Sequence, residues 1–131
     1  MDVQDLILAD YAAANQGGKF TLVGAGFSRI NTMKIPCVHP LMYVLVRLKV
    51  TILDKGKNQI EVRIVGERGT IFKMDYNLDV PSTHTGEEHL PMPIQINNLK
   101  FDYAGAYNIE VHINGEQKAS HSLTIVEATQ L

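Results

Sequence analysis

The chain has 131 residues, which suits one domain of ordinary size and leaves no room for a second hydrophobic core. Hydrophobic residues make up 45% of it and charged residues 20%, a globular composition that excludes a disordered chain. The formal net charge of -2 leads us to expect no nucleic-acid partner, because proteins that hold phosphates are usually basic. One cysteine excludes an internal disulfide and a cysteine-cluster zinc fold.

The sequence also bears on membranes and compartment. No run approaches the ~20 apolar residues that a membrane-spanning helix needs. The first five residues, Met1 to Asp5, are acidic where a secretory signal would be basic. We therefore expect no membrane partner and a cytoplasmic location.

The first forty residues give a mixed pattern. Residues 3–9 alternate and predict a strand, and the alanine-rich residues 11–14 predict an added helical turn. A helix over residues 4–14 is an alternative that the pattern leaves open. Residues 19–27 predict a strand with Phe20 and Leu22 turned inward. The region between Ile30 and His39 is expected to be irregular or a short edge strand.

The strongest pattern follows: every even position from Met42 to Ile52 is apolar, and the later odd positions, from Arg47 on, are polar. The same alternation returns over residues 59–64 and 72–79. Short polar turns that contain glycine, residues 54–58 and 66–69, separate the three runs. Together they predict a three-stranded antiparallel meander.

Residues 80–91 break the alternation and contain two prolines. The segment is too long for a tight hairpin. We expect them to carry the chain between two sheets or along an edge. Residues 92–96 resume the alternation between two prolines and predict a strand that starts at a sheet edge. Residues 107–113 form the next strand, and Asn114–Gly115 predicts a two-residue hairpin with a returning strand.

These elements predict an all-β fold, an antiparallel β-sandwich of seven to nine strands that occupies residues 1–131 as a single domain. A small barrel is the other architecture that short, regularly spaced strands allow. The alternation places Val44, Val62, Met74 and Tyr107 together in one dry layer between two sheets.

A resemblance narrows the architecture. The stretch Gly-Ala-Tyr-Asn-Ile-Glu-Val-His-Ile-Asn-Gly-Glu, residues 105–116, resembles the last hairpin of immunoglobulin-like and fibronectin-type sandwiches. In those folds the tyrosine hydroxyl closes a corner on the backbone upstream, and Tyr107 holds that position, with Leu99 as the preceding apolar residue. The usual acidic residue four places earlier is Tyr103 here, and Asp102 lies one place too early. The resemblance implies an immunoglobulin-like sandwich.

A second resemblance covers most of the chain. The runs at residues 5–12 and 18–27, Pro36, His39-Pro40 and the closing hairpin are similar to a group of small bacterial proteins known as a domain of unknown function. This resemblance implies a β-sandwich and a bacterial or phage source. It carries over no catalytic or binding residue and implies no cofactor.

Three candidate sites emerge, and the first is the run His-Thr-Gly-Glu-Glu-His at residues 84–89. His84, Glu88 and His89 bring two imidazoles and a carboxylate, which are ligands for a divalent metal and would suit a metal-dependent hydrolase. Gly86 and the flanking prolines argue against the rigid helix that such ligands usually need. A solvated loop is the favoured interpretation.

The second candidate is a basic row on the polar face of the meander. One register places Arg47 opposite Arg63 and Arg63 beside Lys73, and like charges kept together would suit a small anionic ligand such as a nucleotide. A shift of two residues pairs Arg47 with Glu61 instead and leaves a mixed-charge face. The sequence does not determine the register, and the mixed face is the favoured reading.

The third candidate is the strip Tyr43, Leu45 and Val65, which is apolar at positions that should face outward. Such a strip is either a subunit contact or lies beneath the N-terminal segment, and the two alternatives weigh equally. The function we favour is a non-catalytic interaction module, self-associating or binding another protein through this strip and its sheet edges. A binder of small anions and a metal-dependent hydrolase are the rivals.

Overall fold

The computed structural model describes residues 1–128. Within that range the protein is all-β, as predicted, with ten strands and two single-turn 3-10 helices, Gln16–Gly18 and Ile52–Asp54. The strands are β1 Asp2–Ala9, β2 Tyr11–Ala14, β3 Phe20–Val23, β4 Arg29–Thr32, β5 Cys37–Val50, β6 Gly56–Gly66, β7 Gly69–Val80, β8 Glu88–Phe101, β9 Gly105–Ile113 and β10 Glu116–Glu127. Across these residues no helix has the length and apolar character that crossing a membrane requires.

The ten strands form three sheets. One sheet has the order β1-β5-β8, a larger one has the order β4-β10-β9-β6-β7, and a small sheet pairs β2 with β3. All neighbours are antiparallel except β4, which runs parallel to β10. The number of strands exceeds the predicted seven to nine because residues 11–14, which were expected to add a helical turn, form the strand β2.

The alternation correctly predicted which residues form the core. Val44, Val62 and Tyr107 are buried members of one hydrophobic cluster, and Met74 packs against its boundary. This cluster lies between the three-stranded and the five-stranded sheet, because β5 contributes from the first and β6 and β9 from the second. β6 and β9 bury every second side chain, which is why the period of two is visible in their sequences.

The predicted meander is right for its second hairpin and wrong for its first. β6 and β7 pair directly, but β5 pairs with β1 and β8, so β5 and β6 lie in different sheets. The chain leaves β5 through the 3-10 helix Ile52–Asp54, which Thr51 caps: the Thr51 N–H donates to Asp54 Oδ2 at 2.7 Å, and Thr51 Oγ1 accepts from Leu53 N–H at 3.3 Å. This capping box turns the chain toward the opposite sheet.

The N-terminal segment forms strands and not a helix. Residues 2–9 form β1, which excludes the helix over residues 4–14, and the expected helical turn at residues 11–14 is β2. Pairing with β3 overrides the helix propensity of alanine here, because Ala12 is buried at 3% exposure against the rest of the fold. The strand predicted over residues 19–27 forms only at Phe20–Val23.

Two predicted connections are confirmed. Residues 81–87, a shorter connection than the predicted residues 80–91, carry the chain from β7 of the five-stranded sheet to β8 of the three-stranded sheet. β8 lies at a sheet edge, as predicted, but begins at Glu88 rather than at residue 92. The hairpin between β9 and β10 turns at Asn114 and Gly115, whose φ angles are +51° and +83°. Asparagine and glycine tolerate these left-handed angles, which is the reason the pair predicts such a turn.

A tyrosine corner joins the two hairpins of the larger sheet. The hydroxyl of Tyr107 donates to the carbonyl oxygen of Tyr103 at 2.7 Å, the upstream backbone bond that the sequence predicts. Tyr103 stacks on Tyr107 with ring centroids 5.1 Å apart, and its own hydroxyl accepts from the Arg68 N–H at 2.9 Å. Tyr103 therefore fills the position where the acidic residue was expected and links the β6–β7 turn to the corner before β9.

Candidate functional site

The three candidate metal ligands do not converge. His84 Nδ1 lies 3.6 Å from Glu88 Oε2, whereas His89 Nε2 lies 3.2 Å from Glu87 Oε1. Each imidazole therefore has its own carboxylate partner. Within residues 1–128 no group of three or more His, Cys, Asp or Glu side chains is placed to hold a metal ion. The loop therefore holds two separate imidazole–carboxylate pairs.

The basic row is divided between two sheets. Arg63 lies directly opposite Lys73 on β6 and β7, as one of the two registers predicts. Arg47 is not part of this row, because β5 belongs to the three-stranded sheet. There its Nε lies 2.6 Å from Asp5 Oδ2, and its guanidinium covers the ring of Phe20 at 5.3 Å. Arg47 thus holds the N-terminal segment against β5.

Carboxylates accompany the two remaining cations. Arg63 Nε lies 2.6 Å from Glu61 Oε1 and 4.0 Å from Glu110 Oε1, and Lys73 Nζ lies 3.6 Å from Glu61 Oε2. Repulsion between Arg63 and Lys73 is offset by Glu61, which lies between them. An anionic ligand would have to compete with these carboxylates. The arrangement matches the mixed-charge face that the sequence favoured.

The apolar strip is not one continuous surface. Leu45 is fully buried at 0% exposure, and Tyr43 packs edge-to-face on Tyr11 of β2 with centroids 5.4 Å apart. Both residues lie beneath the N-terminal segment, which is the second of the two alternatives for them. Val65 lies on β6, in the other sheet. The interface expected at these three residues therefore has no exposed surface at Leu45.

A different surface lies where two free strand edges meet. β7 ends the five-stranded sheet and β8 ends the three-stranded sheet. A largely apolar groove of about 330 Å³ runs between these strands. Its lining residues are Ile60, Tyr76, Asn77, Leu78, Leu90, Pro91, Met92 and Pro93. The buried side of the groove raises the pKa of the Tyr76 phenol, because burial disfavours the charged phenolate.

The β8 edge is blocked by proline. Pro91 and Pro93 pair with Arg47 and Leu45 in a ladder that shows no shift of register between β5 and β8. A proline has no N–H, so it fits such a ladder where its nitrogen points away from the neighbouring strand. The free side of β8 consequently lacks donors at two successive positions, a device that prevents pairing with another strand.

The β7 edge is open. Its twelve residues contain no proline. The backbone of Gln59 on β6 is bonded on the side away from β7, since its N–H donates to Asn114 Oδ1 at 2.9 Å and its carbonyl accepts from Asn114 N–H at 2.8 Å. Bonding directions alternate along an antiparallel strand, so Ile60 faces β7 and bonds to Tyr76 opposite it. The alternate residues of β7 therefore direct their N–H and C=O groups outward: Lys73, Asp75 and Asn77.

Sequence reasoning included sheet edges among the contacts but did not identify this one. The signal that was available is the contrast between two prolines on residues 91–93 and none on residues 69–80. The groove itself has no sequence signal, because it exists only through the way the two sheets approach each other.

Comparison with known proteins adds a family and a weak structural likeness. Residues 4–126 match the model of a family described as a family of unknown function (DUF6941). No curated protein matches the chain. Among solved structures, the Pseudomonas fluorescens alkylpurine DNA glycosylase AlkC bound to DNA containing an abasic site analog is similar with a TM-score of 0.45 and 17% identity. The match covers 76% of this chain and 28% of the glycosylase chain, and at this TM-score it carries no argument about function.

One expectation about partners is corrected. The net charge led us to expect no nucleic-acid partner, and this expectation is corrected: the charge alone does not carry it, and one similar solved structure is bound to DNA. The physical reason is that net charge describes a whole chain, whereas phosphates are bound by local groups of charge. A value of -2 therefore excludes no nucleic-acid partner.

Proposed function

We propose that this chain, which belongs to the DUF6941 family, is a non-catalytic protein-binding module on an immunoglobulin-like β-sandwich. It binds by accepting an extended segment of a protein partner as an added strand beside β7. The observation that carries this proposal is an unblocked twelve-residue edge next to an apolar groove. Added strands gain affinity from main-chain hydrogen bonds and specificity from pockets for alternate side chains, and this surface offers both.

The chemistry of the partner follows from the two faces of β7. On one face the side chains of Phe72, Met74, Tyr76 and Leu78 are half-buried, and on the other Lys73, Asp75, Asn77 and Asp79 are exposed. An added strand shares these faces, because side chains alternate along it. The segment bound should therefore be apolar at every second position and polar between.

A non-catalytic role is supported by the use of the polar groups in a second cavity. This cavity of about 520 Å³ is lined by Asn58, Asn114 and neighbouring residues of β6 and β7. Asn58 Nδ2 donates to the Asp54 carbonyl at 2.8 Å, and Asn114 Nδ2 donates to Asn58 Oδ1 at 3.0 Å. These amides hold the crossover after β5 to the β9–β10 turn, which is a structural task.

The immunoglobulin-like description is supported by the Tyr107 corner and by two sheets around one core. The proposed setting is the cytoplasm of a bacterium or of a cell infected by a phage. The chain has one cysteine, Cys37, and so has no internal disulfide, a composition that is usual in reducing compartments.

The test uses a library of random 12-residue peptides selected on the immobilised protein. Asn77→Pro removes one outward N–H of β7 and leaves the ladder to β6 intact, and Asn77→Ala is the matched control because it keeps that N–H. We expect the selected peptides to be apolar at alternate positions. They should bind the wild type and Asn77→Ala equally and Asn77→Pro about tenfold more weakly, the effect of ~1.4 kcal/mol.

Backbone chemical shifts would locate the bound peptide, with the largest changes expected in β7 and in the groove. Failure to select any peptide that shifts β7, at a protein concentration where the chain is monomeric, would refute the proposed function. Equal binding to Asn77→Pro, in a variant that retains the wild-type unfolding midpoint, would refute it as well.

A further inference from the structure

We propose that the strand added to β7 is the β7 of a second copy of this chain, paired antiparallel about a two-fold axis at Tyr76. This inference rests on the proposed function of the β7 edge and names its partner. It joins the five-stranded sheets of two copies into one continuous sheet. A two-fold contact of this kind uses the same patch on both copies and closes on itself.

The geometry of β7 restricts the registers that self-pairing can adopt. Apolar side chains occupy the even positions from Phe72 to Leu78, and the outward backbone groups belong to the odd positions from Lys73 to Asn77. Pairing an odd position with an even one would place apolar side chains against charged ones on both faces. The axis must therefore pass through a single residue and relate odd positions to odd positions.

Charge selects among the registers that remain. With the axis at Tyr76, Lys73 of each copy lies opposite Asp79 of the other, and Asp75 lies opposite Asn77. Opposite charges facing each other across strands stabilise the pair, and this pairing occurs twice. With the axis at Asp75, the two Asp75 carboxylates would face each other, which is unfavourable.

The state of these charges in one copy supports the same choice. Asp79 is exposed, and within residues 1–128 it forms no ion pair. The Lys73 side chain is 54% exposed, with Nζ 3.6 Å from Glu61 and 4.0 Å from Asp75. Lys73 is already close to Asp75 in its own chain, so a register that brings it to Asp75 of the second copy gains less than one that reaches Asp79.

The groove favours the axis at Tyr76 as well. This register places Met74 of each copy opposite Leu78 of the other and the two Tyr76 side chains together. These positions lie along the groove that Tyr76 and Leu78 line. An axis at Met74 would instead move the paired segment toward the β6–β7 turn and leave Leu78 opposite Thr70. Self-pairing about Tyr76 therefore covers the apolar edge that a single copy leaves half-exposed.

Charge reversal tests the register. We expect the wild type to form dimers in sedimentation equilibrium, and Asp79→Lys to weaken dimerisation about tenfold or more, because each change acts twice across the axis. The double variant Lys73→Asp with Asp79→Lys should restore it. Asp75→Lys is the matched control, since the same charge change opposite Asn77 should leave dimerisation unchanged. Loss of dimers in Asp75→Lys would contradict the Tyr76 register, because it indicates an axis at Met74.

Cross-linking tests the axis independently of charge. In a Cys37→Ser background, a cysteine introduced by Tyr76→Cys meets its own copy at a non-hydrogen-bonded pair, where Cα atoms lie about 4.5 Å apart, within the reach of a disulfide. The cysteine introduced by Met74→Cys lies opposite Leu78 and should not cross-link. Cross-linking by Met74→Cys and not by Tyr76→Cys would overturn the inference.

The outcomes separate this inference from the proposed function. A protein that is strictly monomeric at high concentration, yet binds selected peptides at β7, retains the proposed function and refutes self-pairing. A dimer that neither Asp79→Lys nor Asn77→Pro weakens uses another surface and also refutes self-pairing. Thermal unfolding of each variant identifies any that fail to fold. If Asp79→Lys is among them, restored dimerisation in the double variant supports self-pairing and its absence refutes self-pairing.

Discussion

Replacing Tyr107 by phenylalanine tests the corner that joins the hairpins of the larger sheet. The substitution removes only a hydroxyl, so the ring keeps its contacts with Phe101 and Tyr103, each with centroids 5.1 Å away. It also removes the 2.7 Å donor to the Tyr103 carbonyl and leaves that oxygen without this partner. Loss of such a bond in a part-buried site costs about 1–3 kcal/mol in the free energy of unfolding at neutral pH.

The same hydroxyl makes stability depend on alkaline pH. Burial raises the pKa of Tyr107 to about 12, with further contributions from Tyr103 and Asp102, whereas the ordinary value is 10.0. The folded state favours the neutral phenol. The stability that this preference contributes is therefore complete below pH 10 and is lost as the pH rises toward 12. Two pKa units correspond to about 2.7 kcal/mol, and about half of this is lost by pH 11.

Phenylalanine has no such ionisation. The free energy of unfolding of the wild type should therefore exceed that of Tyr107→Phe by about 1–3 kcal/mol at pH 8. This difference should be smaller by about 1.4 kcal/mol at pH 11. Urea unfolding followed by far-ultraviolet circular dichroism at pH 8, 10 and 11 measures both quantities. Equal midpoints at pH 8, or two stability curves that stay parallel up to pH 11, would show that the corner is not a stabilising bond.

Three further variants test other contacts by the same urea titration. Gly66→Ala should lower the free energy of unfolding by about 1–3 kcal/mol, because a Cβ there would meet the Tyr107 ring at 2.6 Å; an unchanged midpoint would contradict this packing. Asn58→Ala should cost about 1–3 kcal/mol, and a double-mutant cycle with Asn114→Ala should show a coupling of about 0.5 kcal/mol or more, whereas strict additivity would exclude the amide link. Leu45→Ala should cost about 2–5 kcal/mol, and a cost below about 0.5 kcal/mol would mean that Leu45 is exposed after all.

The sequence alone determined which side chains face the core. Hydrophobic alternation is a local property, and it identified Val44, Val62 and Tyr107 as members of one dry layer. It also determined the turn at Asn114–Gly115, since left-handed backbone angles favour those residue types. The sequence analysis also expected sheet edges to form contacts with a partner.

Sheet membership was decided only by tertiary structure. Alternation with a period of two shows which side of a strand is apolar, but it does not show which sheet the strand joins. β5 and β6 present their apolar sides to the same core from opposite sheets. The alternation is identical in a hairpin and in a crossing, and here the chain crosses through the 3-10 helix Ile52–Asp54 that Thr51 caps. This is why both registers considered from the sequence placed Arg47 beside a residue of β6, Arg63 or Glu61, whereas it lies against Asp5 of β1.

The candidate site shows the same division. Its components are readable along the chain: prolines that block β8, an alternating β7 without proline, and charges at odd positions. Their arrangement is not readable, because residues on β7 and β8 line one groove only when two separate sheets end on the same flank. Distances between strands of different sheets depend on how the whole chain packs, and local periodicity carries no information about them.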